Sequence, residues 1–304
     1  MAKILVTGGA GFIASHVADI YRENGHDVAV LDNFSTGKRE NIPQGTQYFE
    51  ADITNREAVA QVMQEFRPEV INHHAAHIQV GYSVQNPQFD ATNNILGLLN
   101  IMEEARKVGV KKVMMASTGG AMYGDQPTPF TEDMKAQPLS PYGVSKRAGE
   151  LYLHYYLSQY QIPYVVLRYS NVYGPRQNPH GESGIVSIFA EKMLAGQQPI
   201  INGPGTNTRD YVHVSDVARA NLLALQYDST GIFNIGTTTE ITAVEIFHLL
   251  NEALGTQFEE THGPARPGEQ TKSSLDYSLA QKTLGWEPTI SFEEGIKDFV
   301  KSLR

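Results

Sequence analysis

Apolar positions in the first half of the chain fall into short runs, and each run is followed by a longer stretch in which they recur every three or four residues. The runs predict strands over 3–7, 27–31, 47–50, 69–73, 112–116 and 164–167. The stretches between them predict helices near 12–24, 55–66, 91–108 and 141–160. A run that is apolar at consecutive positions must be covered on both faces, so the alternation implies βαβ units and an α/β fold with a doubly wound parallel sheet. After residue 169 the pattern loosens. The segment 174–184, rich in Pro, Asn, Gln and Gly, reads as a loop, as does 203–208. Further strands are expected at 210–214 and 231–235, with helices near 215–226 and 242–253.

Composition narrows the function classes. The 304 residues suit a large nucleotide-binding unit with a smaller lobe, and 41% hydrophobic content is that of a globular chain. A formal charge of -9, with 24 Lys and Arg scattered along the chain, leaves no basic footprint for nucleic acid. An anionic ligand would have to be held by a few placed arginines. With no cysteine there are no disulfides, thiolate metal sites or cysteine nucleophiles. The chain opens directly on a strand and has no apolar stretch near the ~18 residues of a membrane span. The expectation is a soluble, cytoplasmic protein.

Two motifs carry chemistry. Thr7-Gly-Gly-Ala-Gly-Phe-Ile-Ala-Ser15 lies at the turn from the first strand into the first helix. Gly8 and Gly11 there permit a tight turn and let backbone N–H groups approach a pyrophosphate at the helix N-terminus, with Ala14 at the third, packing position. Phe12 and Ile13 follow within the same turn. Asp32, 24 residues after Gly8 at the end of the second strand, is placed to accept hydrogen bonds from a ribose, and its charge repels a 2′-phosphate. NAD is therefore expected rather than NADP, although Lys38 and Arg39 follow closely. Asn33 is its neighbour, and Asp52 and Ile53, past the third strand, are placed to flank the adenine. The second motif is Tyr142 and Lys146, at i and i+4 of a predicted helix, where a cation beside a phenol favours the phenolate. A hydroxyl-bearing strand end lies 24 residues upstream of Tyr142.

These residues, with Ala116-Ser-Thr-Gly-Gly-Ala-Met-Tyr-Gly124, Ser140-Pro-Tyr-Gly-Val-Ser-Lys146, Arg168-Tyr-Ser-Asn-Val-Tyr-Gly-Pro-Arg176, Thr208-Arg-Asp-Tyr-Val-His-Val-Ser-Asp216 and Arg266-Pro-Gly-Glu269, resemble the extended short-chain dehydrogenase/reductase family. Within it they are most similar to the UDP-glucose (UDP-galactose) 4-epimerases, and the resemblance covers essentially the whole chain. It implies a Rossmann-type NAD-binding domain over 1–169, to which 210–238 contribute, and a nucleotide-sugar-binding lobe from 170–209 and 239–304. By the same resemblance Tyr142 is the base at the sugar 4-hydroxyl, and Lys146 tunes it and binds the nicotinamide ribose. The usual hydroxyl position holds Gly119, so the hydroxyl role falls to Thr118, with Ser117 as the second choice. Dehydratases of the family carry an Asp-Glu pair after the threonine and decarboxylases a Glu. Here Gly119, Gly120 and Ala121 provide no such acid, which favours epimerisation.

The resemblance further implies that Asn171, Arg209 and Arg266 hold the UDP diphosphate. Tyr173 and Asn94 are lesser ligand and cofactor candidates. Ser273, seven positions after Arg266, leaves room for an N-acetyl group beside carbon 2 of the hexose. Helices 94–108 and 141–160 match those through which family members form a homodimer. Other nucleotide-sugar epimerases or reductases, such as a UDP-glucuronate 4-epimerase, and a non-catalytic NAD-binding regulator are the alternatives. His73 and His77 have the i, i+4 spacing by which helical histidines share an ion, but the histidines at 73, 74 and 77 follow a strand, with no Glu between them and no further ligand near in sequence, and no metal is expected.

Overall fold

The computed structural model describes residues 1–179, 184–265 and 270–303. Its centre is a sheet of seven strands, all parallel: β1 (Lys3–Thr7), β2 (Asp27–Asp32), β3 (Gln47–Glu50), β4 (Val70–His73), β5 (Lys112–Thr118), β6 (Tyr164–Tyr169) and, from later in the chain, β10 (Gly231–Ile235). Their order is β3-β2-β1-β4-β5-β6-β10, so the chain reverses its direction of travel between β1 and β4. That crevice, at the carboxyl ends of the strands, is where a doubly wound sheet binds its ligand.

Successive side chains of a strand point to opposite faces, and here both faces are buried. Ile4, Val6, Val28, Val30, Met114 and Val165 pack under α1 (Phe12–Glu23) and α8 (Val214–Gln226). Leu5, Ala29, Leu31, Ile71, Val113, Met115 and Val166 pack under α2 (Arg56–Phe66), α5 (Gly97–Val108) and α6 (Pro141–Tyr160). The two buried faces are the physical source of the unbroken apolar runs.

The predicted helix over 91–108 is more elaborate. After the short α3 (Val80–Gln85), α4 begins at Pro87, ends at Ala91 and passes through a π-turn, Thr92–Leu96, into α5. Such turns widen the helix by one residue and recur at functional sites. β5 and β6 each run two residues beyond the predicted ends, which brings Ser117 and Thr118 into register with Arg168 and Tyr169.

A smaller sheet sits over the same end. It contains β7 (Asn171–Tyr173), β9 (Thr208–His213), β11 (Glu240–Thr242) and β13 (Lys272–Ser273), with β9 at its centre, while β8 (Ile201–Asn202) pairs separately with β12 (His262–Gly263). Helices α7 (Ile185–Leu194), α9 (Ala243–Leu254) and α11 (Phe292–Ser302) enclose a second core around Phe189, Phe247, Leu250 and Phe299. Residues 210–213 thus run in the small sheet, whereas 214–226 and 231–235 lie on the large one. α10 (Ser278–Leu284) also packs on the large-sheet side, through Ala280 and Trp286.

Candidate functional site

Three strand ends and one helix face converge at the crevice. After β1 the chain turns at Gly8, which has φ +69°, and a Cβ there would stand 2.8 Å from the backbone nitrogen of Ala75 in the loop after β4. Only glycine lets the two loops approach this closely. Gly11 caps α1 without a side-chain hydrogen bond, so no side chain competes for the N–H groups of the first turn. Phe12 is buried and Ile13 half-buried at that turn.

Asp32 is buried at the end of β2, where it accepts the Ala10 N–H at 3.0 Å and the Phe34 N–H at 2.8 Å. Burial raises its pKa from the usual carboxylate value, and the two N–H donors oppose that shift. Asn33 donates to Asp52 at 2.8 Å, and Ile53 fills the space left by Gly97, whose Cβ would come within 2.6 Å of it. These four residues form one wall beside the crevice.

The candidate reactive cluster stands on α6 and β5. Ser140 caps α6, accepting the Gly143 N–H at 3.2 Å, with Pro141 opening the first turn. Tyr142, Lys146 and Glu150 then lie at i, i+4 and i+8 on one helix face, and all three reach β5 or its neighbour. The Tyr142 hydroxyl is hydrogen-bonded to the Thr118 side chain. The Lys146 ammonium donates to the Ala116 carbonyl at 3.0 Å. Glu150 accepts the Ser117 hydroxyl at 2.8 Å and a two-pronged contact from Arg168, at 2.9 and 2.7 Å. Ser117, buried and committed to Glu150, is therefore turned away from Tyr142. Thr118, the last residue of β5, is the one whose side chain meets the phenol at the edge of the sheet, in line with its being the first choice for the hydroxyl role and Ser117 the second.

The electrostatics also differ from the sequence expectation of a phenolate-favouring cation. Burial pushes the Tyr142 pKa up from its usual value, the Asp90 carboxylate pushes it further, and the Thr118 hydrogen bond opposes both. The Lys146 nitrogen is 5.9 Å from the centre of the Tyr142 ring and is held by the Ala116 carbonyl. Its own pKa is lowered to about 8 by burial, against the pull of Asp90 and Glu150. In the protein alone, Tyr142 keeps its proton.

On the substrate side, Asn171 on β7 donates to the Asp210 carbonyl at 3.0 Å, and Arg209 on β9 is adjacent in register to Ser273 on β13. The Ser273 hydroxyl lies 4.0 Å from where a Cβ on Gly120 would stand, which places Ser273 beside the end of β5. Arg266 lies outside the described residues. Tyr173 is buried under Phe292, to whose carbonyl it donates at 3.3 Å, and faces the second core rather than a ligand. Asn94, in the π-turn, spends its side chain on the backbone of His77, accepting at 2.8 Å and donating at 2.9 Å, and on Asp90 and Ser145. It braces the loop after β4. His73 pairs with Thr7 at 2.9 Å and His74 with Tyr169 at 3.1 Å, and the His77 ring packs against Tyr82 and Phe89.

The family model described as "NAD dependent epimerase/dehydratase family" matches residues 4–236. The chain belongs to that family. It is 42% identical to the UDP-glucose 4-epimerase of Mycolicibacterium smegmatis over 309 residues, covering 99% of this chain and 98% of the relative. The crystal structure of the UDP-glucose 4-epimerase of Thermotoga maritima with UDP-glucose superposes with a TM-score of 0.96 at 47% identity, covering 99% of this chain and 98% of that one. The Thermus thermophilus UDP-glucose 4-epimerase in complex with NAD gives a TM-score of 0.94 at 44% identity, with the same coverage of 99% and 98%.

In this family member the sequence reading passed over four residues that the fold brings to the site. Glu150 and Arg168 anchor α6 to the sheet. Leu275 occupies the space next to Gly119, where a Cβ would meet it at 2.4 Å. Asp90 is buried beside the Tyr142–Lys146 pair. A signal existed for Glu150, which continues the four-residue spacing of Tyr142 and Lys146. None existed for Leu275, which reaches Gly119 from 156 residues away.

Proposed function

We propose that the protein is an NAD-dependent 4-epimerase of UDP-hexoses that interconverts UDP-glucose and UDP-galactose through a 4-keto sugar and retains its dinucleotide between turnovers. The observation that carries this reading is the hydrogen-bonded Thr118–Tyr142 pair beside Lys146, followed at 119–121 by Gly-Gly-Ala with no acid or base for elimination. The full-length likeness to 4-epimerases supports it.

The crevice fits NAD. The glycine cradle at residue 8 has no room for a Cβ, the first turn of α1 is free of side-chain caps, and the fixed Asp32 carboxylate has lone pairs left for ribose hydroxyls. Gly8, Gly11, Phe12 and Ile13 would line the pyrophosphate, and Asp32, Asn33, Asp52 and Ile53 the adenosine. Lys146 would hold the nicotinamide ribose, with Asn94 bracing the adjacent loop. Bound NAD would supply the reversible hydride acceptor for sugar carbon 4. The chain's own part is the proton: the Tyr142 oxygen removes it from the 4-hydroxyl and gives it back, with the Thr118 hydroxyl bridging the phenol and the sugar oxygen. Burial holds the Tyr142 pKa above its usual value, and the Lys146 ammonium beside the ring would favour the phenolate as the proton leaves. Asn171, Arg209 and Arg266 would grip the diphosphate.

The reading extends to a homodimer through α5 and α6, whose Leu96, Val144, Leu151 and Tyr155 flank or lie on those helices and are exposed, and to a cytoplasmic role in galactose metabolism. Among the described residues no helix is long and apolar enough to cross a membrane. Incubation with UDP-glucose, followed by NMR of the products, tests the activity. UDP-galactose without stoichiometric NADH supports it. Net NADH with no second sugar would make the protein a dehydrogenase instead.

A further inference from the structure

Asp90 is 1% exposed on α4 and one of its carboxylate oxygens, Oδ2, has no hydrogen-bond partner. A buried carboxylate with an unpaired oxygen is costly, and such a residue persists where its charge is used. The other oxygen accepts the Asn94 side-chain N–H at 3.0 Å, and the Ser145 hydroxyl is within hydrogen-bonding reach. Asn94 also donates to Ser145 at 3.2 Å, and Ser145 donates to the Tyr142 carbonyl at 2.9 Å. The π-turn directs Asn94 toward α6, so a connected chain of polar groups runs from α4 to the first turn of α6. Asn94 simultaneously holds the His77 backbone, and Ser83 accepts the Tyr142 N–H at 3.2 Å.

Resting on the epimerase reading, we propose that Asp90 is a positioning residue for the catalytic pair: through Asn94 and Ser145 it fixes the first turn of α6, and its charge sets the proton balance between Tyr142 and Lys146. The carboxylate acts on both groups in the same sense. It favours the charged ammonium of Lys146 and disfavours the phenolate of Tyr142, so both hold their protons more firmly. Removal of that charge is expected to loosen both protons together.

Of the titratable groups facing this cluster, Asp90 is the carboxylate that acts on both members of the pair. On α6, Glu150 pulls Lys146 in the same sense, but it is paired with Arg168 and Arg147 and does not act on Tyr142. From the end of β4, His73 and His74 have pKa values lowered to about 3 by burial, so both rings are neutral across the working range. His77, in the following loop, is lowered by burial as well, and Tyr82 on α3 packs against its ring. Asp90, whose own pKa is raised by burial against the opposing hydrogen bonds of Ser145 and Asn94 and the charges of His77 and Lys146, is therefore the carboxylate that both Tyr142 and Lys146 experience.

The test uses the full chain with 13C-labelled lysine side chains, and Lys146→Arg identifies the Lys146 signal. In Asp90→Asn the Lys146 midpoint should fall by about half a pH unit or more, while Asp90→Glu, which keeps the charge, should stay close to the parent. If Asp90→Asn does not fold, Asp90→Ala reads the same midpoint. The alkaline limb of the kcat profile with UDP-glucose should move down in parallel. A purely structural role would lower kcat at all pH values and leave the limb in place. An unchanged Lys146 midpoint in a folded neutral variant overturns the proposal whatever the activity. A shifted midpoint in a protein that does not epimerise UDP-glucose would support the role of Asp90 and overturn the proposed substrate reaction.

Discussion

Gly119→Ala tests whether the absent side chain at the end of β5 is a packing requirement. The added methyl would lie 2.4, 2.6 and 3.0 Å from three carbons of Leu275, well inside van der Waals contact. Leu275 has little freedom to retreat. It is wholly buried against Met122, Tyr123 and Phe130, its N–H donates to Asp210 at 3.1 Å, and the flanking backbone is bonded to Phe130 on both sides, at 2.8 and 2.9 Å. Overpacking of this kind costs about 1–3 kcal/mol. Leu275→Ala alone should cost about 2–5 kcal/mol through the cavity it leaves. In the double variant the two faults relieve each other, because the new methyl enters space the leucine has vacated. The expected coupling is about 1 kcal/mol or more, against the ~0.5 kcal/mol within which independent sites add. Urea unfolding of the parent, both single variants and the double variant measures it. Strictly additive losses would show that Leu275 does not explain the glycine, and the placement of the 272–276 segment against β5 would be wrong.

Tyr142→Phe should lower turnover at least about a hundredfold while dinucleotide binding stays near the parent value, as measured by steady-state kinetics and titration with NAD. Thr118→Val should reduce kcat with little loss of stability. Ser117→Ala should do the reverse, costing about 1–3 kcal/mol by leaving the buried Glu150 short of a donor, and the opposite pattern would return the hydroxyl role to Ser117. The acid limb of stability follows from His73 and His74, whose pKa values are lowered from 6.5 to about 3. The unfolded chain takes up protons that the folded rings refuse, so stability should fall as the pH drops from about 6.5 toward 3. His74→Gln should flatten that fall in urea midpoints taken across the range, and an unchanged slope would refute the assignment. NAD should bind at least about tenfold more tightly than NADP, because the buried Asp32 carboxylate would face the extra phosphate. Equal dissociation constants would count against Asp32 as the ribose contact. The parent should accept UDP-N-acetylglucosamine as well as UDP-glucose, and Ser273→Tyr should selectively lose the N-acetylated sugar. Equal loss of both would move the carbon-2 preference to another residue.

The strands of the large sheet were legible because burial on both faces leaves a local trace, a run of apolar residues without alternation. The motifs at Gly8 and Tyr142 were legible for the same reason, since their geometry is set within one turn or one helix. The π-turn left no such trace. Its extra residue shifts the helix face between Ala91 and Gly97 without changing the kind of residues found there. The protonation of Tyr142 was not legible, because spacing on a helix says which groups are neighbours but not how deeply the face is buried, and burial is the main influence raising its pKa. The choice between Ser117 and Thr118 depended on β5 extending two residues further than its apolar run, a length fixed by pairing with β6.

Tyr142, Lys146 and Glu150 fasten α6 to the sheet at three points along its length. A substitution that slid or tilted the helix would disturb all three at once, so the groups proposed to react sit on a part that tolerates almost no drift. The edge of the small sheet is built differently. β13 contributes only Lys272 and Ser273 and pairs with a single neighbour, β9. Exchanging a side chain there alters what can lie against the strand ends without moving the helix. The molecule thus separates a fixed anvil from a replaceable jaw, and new sugar preferences should arise by mutation along the short edge strand, leaving the proton chemistry untouched.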